Sequence, residues 1–442
     1  MSADFSYWRR NLAVLWVSQF VSLCGFSMSV PFAAYFIREL APDAGEPRIR
    51  FYAGLSSLLT QAAFMVAAPL WGWVADRFGR KKMVLRAAFM GTVVLGLMGL
   101  SRSVWQFLAL RFFQGCFTGT IAASTTLVAC NTPREKQGFA LGLLSSSIFS
   151  GEMAGLLVGG VLADQFGFRN SFHISSGLLL VTTLLVLFLV KEQFTPEAGD
   201  AAGKPTGAGG WRLTWTTVLL PALPVLAIYG CNSLARLMDQ SQIALYVEQL
   251  NGGVDFPGRE MFTSWVMGAG SLGAVTAGFL LARHIDGRPA RIAQAMALTA
   301  CLAVLAMAAL PFVLPSEPRV SLPGVAVGTT WGVLAMIPLR FIMVFCGGGM
   351  EPICTSWISK VTEPEHRGVI FGYAQAVRSS CSGLGHLGAC IIAPALGVNA
   401  LYWTIPAAFL ALAAMVALFR NRIAQRIRCV QSNYITSSGA SS

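Results

Sequence analysis

Stretches of about 20 apolar residues recur from Asn11 to Phe419, and each is long enough to cross roughly 30 Å of hydrocarbon as a helix. No water-soluble core absorbs so much apolar chain. Apolar residues other than glycine make up 55% of the 442 residues and charged residues only 12%, against about 25% charged in an average soluble domain. The runs lack the strict alternation of a membrane barrel, so they are predicted to be helices, the other form that satisfies backbone polar groups in lipid. Twelve spans are expected, at 11–37, 51–74, 84–101, 104–129, 138–162, 171–190, 216–247, 260–282, 290–314, 331–359, 368–394 and 400–419. The fold class is therefore an all-α membrane protein.

An even number of spans places both termini on one side. Most of the 32 lysines and arginines fall in the loops of that side, which assigns it to the cytoplasm of a cell whose cytoplasmic (inner) membrane carries the chain. The net charge of +12 sits largely in short loops such as Arg77 to Arg86 and in the tail from Arg420 to Arg428. Membrane lipid headgroups are its expected partner, and nucleic acid is not. The first span follows Tyr7-Trp8-Arg9-Arg10 and is too long for a signal core, so it is expected to be retained. The ten cysteines lie mainly inside spans without metal-ligand spacing, which points to free thiols, no disulfide framework and no metal. His386 is read as a packing histidine and His173 as interfacial.

The chain repeats itself at a half-chain period. Gly72-x-x-x-x-Arg77 is echoed by Gly278-x-x-x-x-Arg283, Leu110-Arg111-Phe112 by Leu339-Arg340-Phe341, and the polar turn ending at Gly138 by the one ending at Gly368. Two six-span halves follow, an N-terminal bundle at 1–190 and a C-terminal bundle at 216–420. Between them, 191–215 has the small-residue composition of a flexible linker, and 421–442 is a basic tail.

Between spans 2 and 3 runs Gly72-Trp-Val-Ala-Asp76-Arg77-Phe-Gly79-Arg80-Lys81-Lys82. This loop resembles the signature of the major facilitator superfamily. Leu110-Arg111-Phe-Phe-Gln114-Gly115 is similar to the span-4 motif of its proton-coupled members, and the resemblance implies that buried Arg111 takes part in proton coupling. Gly142, Gly151, Gly155, Gly159 and Gly160 match the glycine spacing of the antiporter branch, except that Leu156 stands where that motif places proline. With the Trp8-Arg9-Arg10-Asn11-Leu12 start, the layout looks like the twelve-span drug:proton antiporters of multidrug efflux type. The resemblance implies two pseudo-symmetric halves around a central site, alternating access, and Asp76 acting as a cytoplasmic latch. Physically, Asp76 would dock on the unpaired N–H groups at the start of span 11, near Gly368.

Ionisable residues inside spans are the strongest functional signal, since each costs at least ~2.5–3.5 kcal/mol at the bilayer centre unless paired or hydrated. The clear cases are Arg111, Glu152, Arg236, Asp239, Arg340, Glu351 and Arg378, the candidates for proton coupling and cavity lining. Glu351 is the expected proton carrier, since Gly347-Gly-Gly349 and Pro352 should let its span bend beside it, and Asp239 is the alternative. Depth counting puts Glu152 within about 6 Å of Arg111 along the membrane normal, so the two are expected to meet. Glu351 matches Arg378 more closely, and Asp239 has either Arg236 or Arg340 as partner. Span 1 carries no acidic residue, and its Phe26 and Tyr35 are candidates for the substrate cavity. Four arginines against three carboxylates leave one positive charge, which points to an anionic or zwitterionic small molecule, while the efflux resemblance implies an amphipathic one.

No catalytic motif, cofactor site or ATP-binding loop is present in the reading, and a monomer is expected. Proton-coupled export of small amphipathic compounds is the leading expectation. Transport of one sugar or organic anion, or a non-transporting membrane sensor, remain the alternatives.

Overall fold

The computed structural model describes residues 8–29, 32–133, 136–192, 219–252, 258–281, 289–314, 320–321, 328–362 and 367–439. The linker expected at 191–215 lies almost wholly outside them. In chain order the helices are α1 (Trp8–Ser29), α2 (Ala33–Leu40), α3 (Glu46–Phe78), α4 (Arg80–Gly99), α5 (Val104–Phe117), α6 (Thr120–Asn131) and α7 (Gln137–Leu189). There follow α8 (Leu220–Leu237), α9 (Ile243–Leu250), α10 (Arg259–Leu281), α11 (Pro289–Val313), α12 (Trp331–Val361), α13 (Arg367–Leu396) and α14 (Val398–Gly439). Two short strands, Val320–Ser321 and Gly328–Thr329, pair antiparallel between α11 and α12.

Each of the twelve segments read from the sequence coincides with helix. Three are interrupted and two are joined. Segment 11–37 is α1 with α2, segment 104–129 breaks at Thr118 and Gly119, and segment 216–247 breaks in the turn from Met238 to Gln242. The segments 138–162 and 171–190 follow one another within α7, which kinks at Gly167, whose φ of 78° is open to glycine without steric cost. Among the described residues, eight helices are long and apolar enough to cross a membrane by length and composition, with both passes of α7 counted as one.

Local chemistry sets the helix starts. Ser103 Oγ accepts from Gln106 N while Gln106 Oε1 accepts from Arg102 N, a reciprocal cap that begins α5. Thr330 Oγ1 accepts from Val333 N at the start of α12. Leu396, Phe312, Leu418 and Phe188 stand exposed on the outer helix faces, as lipid-facing side chains do.

Helix pairing repeats between the halves. In the N-terminal half α1 packs on the first pass of α7, α3 on α5, and α4 on α7. In the C-terminal half α8 packs on α13, α10 on α12, and α11 on α14. The halves meet chiefly through α3 with α13 and α7 with α10, and exchanging the halves turns one of these contacts into the other. These relations make the two pseudo-symmetric six-helix halves expected from the repeated motifs.

The antiporter-type glycines divide by direction. A Cβ on Gly151, Gly155 or Gly159 would run into the carbonyl oxygens of Phe20, Cys24 and Met28, one turn apart on α1, so these three let α7 lie against α1 backbone. Gly160 instead faces Ser264 and Glu260 on α10 of the other half. Gly142 meets nothing within 4 Å.

Candidate functional site: a charged cluster between the halves

Three carboxylates and three arginines converge where α7 faces α8, α10, α12 and α13. Arg236 Nη2 donates to Glu351 Oε1 at 3.0 Å, and Arg378 Nε lies 3.5 Å from the same oxygen. Room for the Arg236 stem comes from Gly347, where a Cβ would sit 3.2 Å from Arg236 Cδ. Asn232 Nδ2 donates to the Gly347 carbonyl at 3.0 Å, tying α8 to α12 at that level. The glycine run and Pro352 leave α12 as one helix through Glu351.

Arg340 donates to Asp239 Oδ2, which settles the choice left open by the sequence in favour of Arg340 over Arg236. Asp239 is fully buried in the turn that interrupts segment 216–247, so the ion pair holds a broken helix to α12. An unpaired charge at this depth would be strongly unfavourable, and the pair removes that cost by direct contact.

The expected meeting of Arg111 with Glu152 does not occur. Arg111 Nη1 donates to Gln114 Oε1 at 3.1 Å, its guanidinium lies 5.2 Å from the Phe107 ring centroid, and no ion pair to it is found among the described residues. Matching depth is one coordinate only. Rotation of α7 turns Glu152 toward the C-terminal half, where it lines a cavity of about 50 Å³ with Arg236, Gln240, Ser271 and Arg340. That volume admits a few waters, whereas drug-sized ligands need roughly 300–1,000 Å³.

Phe26 and Tyr35 are also placed differently from the cavity expectation. Phe26 packs toward Gly91 of α4, inside the N-terminal half. Tyr35 is buried, and its hydroxyl donates to Ala244 O at 2.9 Å and lies 3.0 Å from Thr263 Oγ1, across the boundary between halves. Span membership alone does not say which way a side chain points.

Around Tyr35 the two halves are tied by charge. Arg38 donates to Glu248 Oε1 at 2.6 Å and Oε2 at 2.8 Å, and also to Glu46 at 2.9 Å. Arg259 approaches Glu248 at 3.3 Å, donates to Glu260 at 2.9 Å and covers the Tyr35 ring at 4.8 Å. Burial raises the Glu248 carboxyl, against the lowering effect of Arg38 and Arg259. Gln242 Nε2 donates to Arg50 O at 2.9 Å, and Gly54 packs against Cys390, so the same end is sealed at several points. None of these partners was legible in the sequence, where Arg38 and Glu248 lie just beyond predicted spans.

At the opposite end, Gly79 turns the chain with φ 95° as the signature loop requires. Glu192 was missed: its carboxylate accepts from Arg80 N at 3.0 Å and Lys81 N at 2.8 Å, capping the positive end of α4. Lys81 Nζ donates to Leu187 O at 2.9 Å, so it is more than a headgroup anchor. The side-chain contacts expected of Gly72, Asp76 and Arg77, and the docking expected near Gly368, lie outside the described residues. His386 is buried, with Nδ1 left without a hydrogen-bond partner among the described residues, His173 is exposed, and the nine described cysteines are free.

The sequence pattern of the Major Facilitator Superfamily matches residues 15–338. The multidrug resistance protein MdtG of Citrobacter koseri is 31% identical over 398 residues, 89% of this chain and 91% of that one. MdtG of Serratia proteamaculans is 42% identical over 189 residues, an aligned stretch that spans 43% of this chain and 46% of that relative. Among solved structures, a bacterial homologue of the human lysosomal transporter Spinster superposes with a TM-score of 0.66 over 99% of both chains, at 14% identity, a likeness of fold. The chain belongs to the major facilitator superfamily and is a multi-pass membrane protein.

Proposed function

We propose that this major facilitator is a secondary active transporter that exports small amphipathic compounds across the cytoplasmic membrane in exchange for protons. Both termini lie in the cytoplasm in this reading, the working unit is a monomer, and the charged residues at the half boundary carry the coupling. Relatives of nearly full length are named for multidrug resistance, which supports the substrate class.

The observation that carries the reading is the cluster of Glu152, Arg236, Asp239, Arg340, Glu351 and Arg378 between two pseudo-symmetric halves. Its cavity is water-sized, so a larger compound enters only when the halves part at one end. The ties among Tyr35, Arg38, Glu248 and Thr263 support an arrangement in which the end opposite the termini is shut. Arg111, whose guanidinium is met by a glutamine, supports a second reading in which the compound is an organic anion.

Everted membrane vesicles with an acid interior test both readings. Accumulation of ethidium and other lipophilic cations that collapses with the pH gradient is the expected result. Gradient-driven uptake of organic anions alone favours the second reading. No gradient-dependent movement of any compound in a broad panel sinks the export proposal.

A further inference from the structure

We propose that Glu152 is the group that takes up and releases the transported proton. The inference rests on the proton-coupled reading above and names the residue within its site. Three carboxylates are available, and two are already engaged. Glu351 is contacted by two arginines at 3.0 and 3.5 Å. Asp239 has no exposed surface and is held by Arg340. Glu152 has neither an ion pair within 4.0 Å nor a side-chain hydrogen bond among the described residues, and it is only half-buried, facing the cavity.

Its position relative to the halves gives the proton a reason to move with them. Glu152 stands on α7 of the N-terminal half. The charges that act on it, Arg236, Glu351 and Arg378, stand on α8, α12 and α13 of the other half, with Arg340 at the cavity wall and Asp239 paired to Arg340 behind it. From α10, the cavity wall is Met267, Gly270, Ser271 and Ala274, none of them titratable, and predicted span 1, which α1 largely forms, has no acidic residue. Separation of the halves therefore changes the charge field at Glu152 without changing its own helix, and proton affinity follows that field. In the uptake step the carboxylate forms an O–H bond with a proton from hydronium and leaves water. In the release step that bond breaks and water accepts the proton, with no electron transferred.

Infrared difference spectra of the purified full-length protein in liposomes, taken between about pH 8 and about pH 5, read protonated carboxyl groups directly. The expected result is a carboxyl C=O band that disappears in Glu152→Gln, persists in Glu351→Gln and shifts in Glu152→Asp. The Asp variant retains a carboxyl group and decides the matter if the Gln variant misfolds: an unshifted band overturns the assignment. A band unchanged in Glu152→Gln, or lost in Glu351→Gln alone, also overturns it. In everted vesicles, Glu152→Gln is expected to lose gradient-driven ethidium accumulation while gradient-free ethidium exchange continues. Absence of ethidium movement in the unsubstituted protein counts against the export reading and leaves the infrared bands to decide the role of Glu152.

Discussion

Arg38 grips both carboxylate oxygens of Glu248, 210 residues further along the chain and in the other half of the molecule. Two parallel charge-assisted bonds fix orientation as well as distance. With Glu46 and Arg259 on either side, this pair joins the ends of two segments that depth counting treats as mere loop boundaries.

Arg38→Ala is expected to loosen this end. Glu248 would keep Arg259 but lose two hydrogen bonds in a partly buried site, a cost of about 1–3 kcal/mol and so roughly a five-fold or larger shift from joined to separated halves. Spin labels on cysteines at Asp43 and Gln249, in a Cys429→Ser background, report the separation, since all three native side chains are exposed. An unchanged distance distribution would show that the pair is incidental to closure.

The same labels test a dependence on pH. Glu248 has a raised carboxyl in the joined arrangement, chiefly through burial, and regains an ordinary value when solvated in the separated one. The joined arrangement therefore binds the proton more tightly, and acid at this face favours closure. As pH falls through the raised value toward the ordinary carboxylate range, the joined fraction should rise. Glu248→Gln should stay joined and lose that part of the response, and an equal pH response in the two proteins would refute the linkage.

Asp239→Asn should be markedly destabilising, because it leaves Arg340 charged, buried and without its counter-ion, at a cost of about 3–5 kcal/mol in comparable sites. Thermal unfolding of the purified protein should shift down by several degrees. Asp239→Leu combined with Arg340→Met removes both charges and should recover much of the loss. Equal melting temperatures for Asp239→Asn and the unsubstituted protein would mean that Arg340 finds another partner.

Glu192→Ala removes the acceptor for two backbone N–H groups at the start of α4. Loss of such a cap costs about 1 kcal/mol, which is roughly a five-fold change in an opening equilibrium. Hydrogen exchange at Arg80 and Lys81 should accelerate to that extent while the far end of α4 is unaffected. Unaltered exchange at these two amides would remove Glu192 from the signature loop.

By itself the sequence located the apolar segments, each of which falls on helix, and singled out the ionisable residues within them, because hydrophobic length and the cost of burying charge are written locally along the chain. It also showed glycines at every fourth position in what became α7, and α1 lies against three of them. The tertiary structure decided who meets whom. Position along a span supplies depth, but helix rotation and the packing of distant segments supply the remaining coordinates, and these turned Glu152 away from Arg111 and toward Arg236. The same degrees of freedom placed Tyr35 at the tie between halves rather than on a cavity wall and brought Glu248 to Arg38 and Glu192 to the signature loop. A polar side chain near a span end can find its partner in any helix that ends on that face, so only the assembled bundle makes the choice.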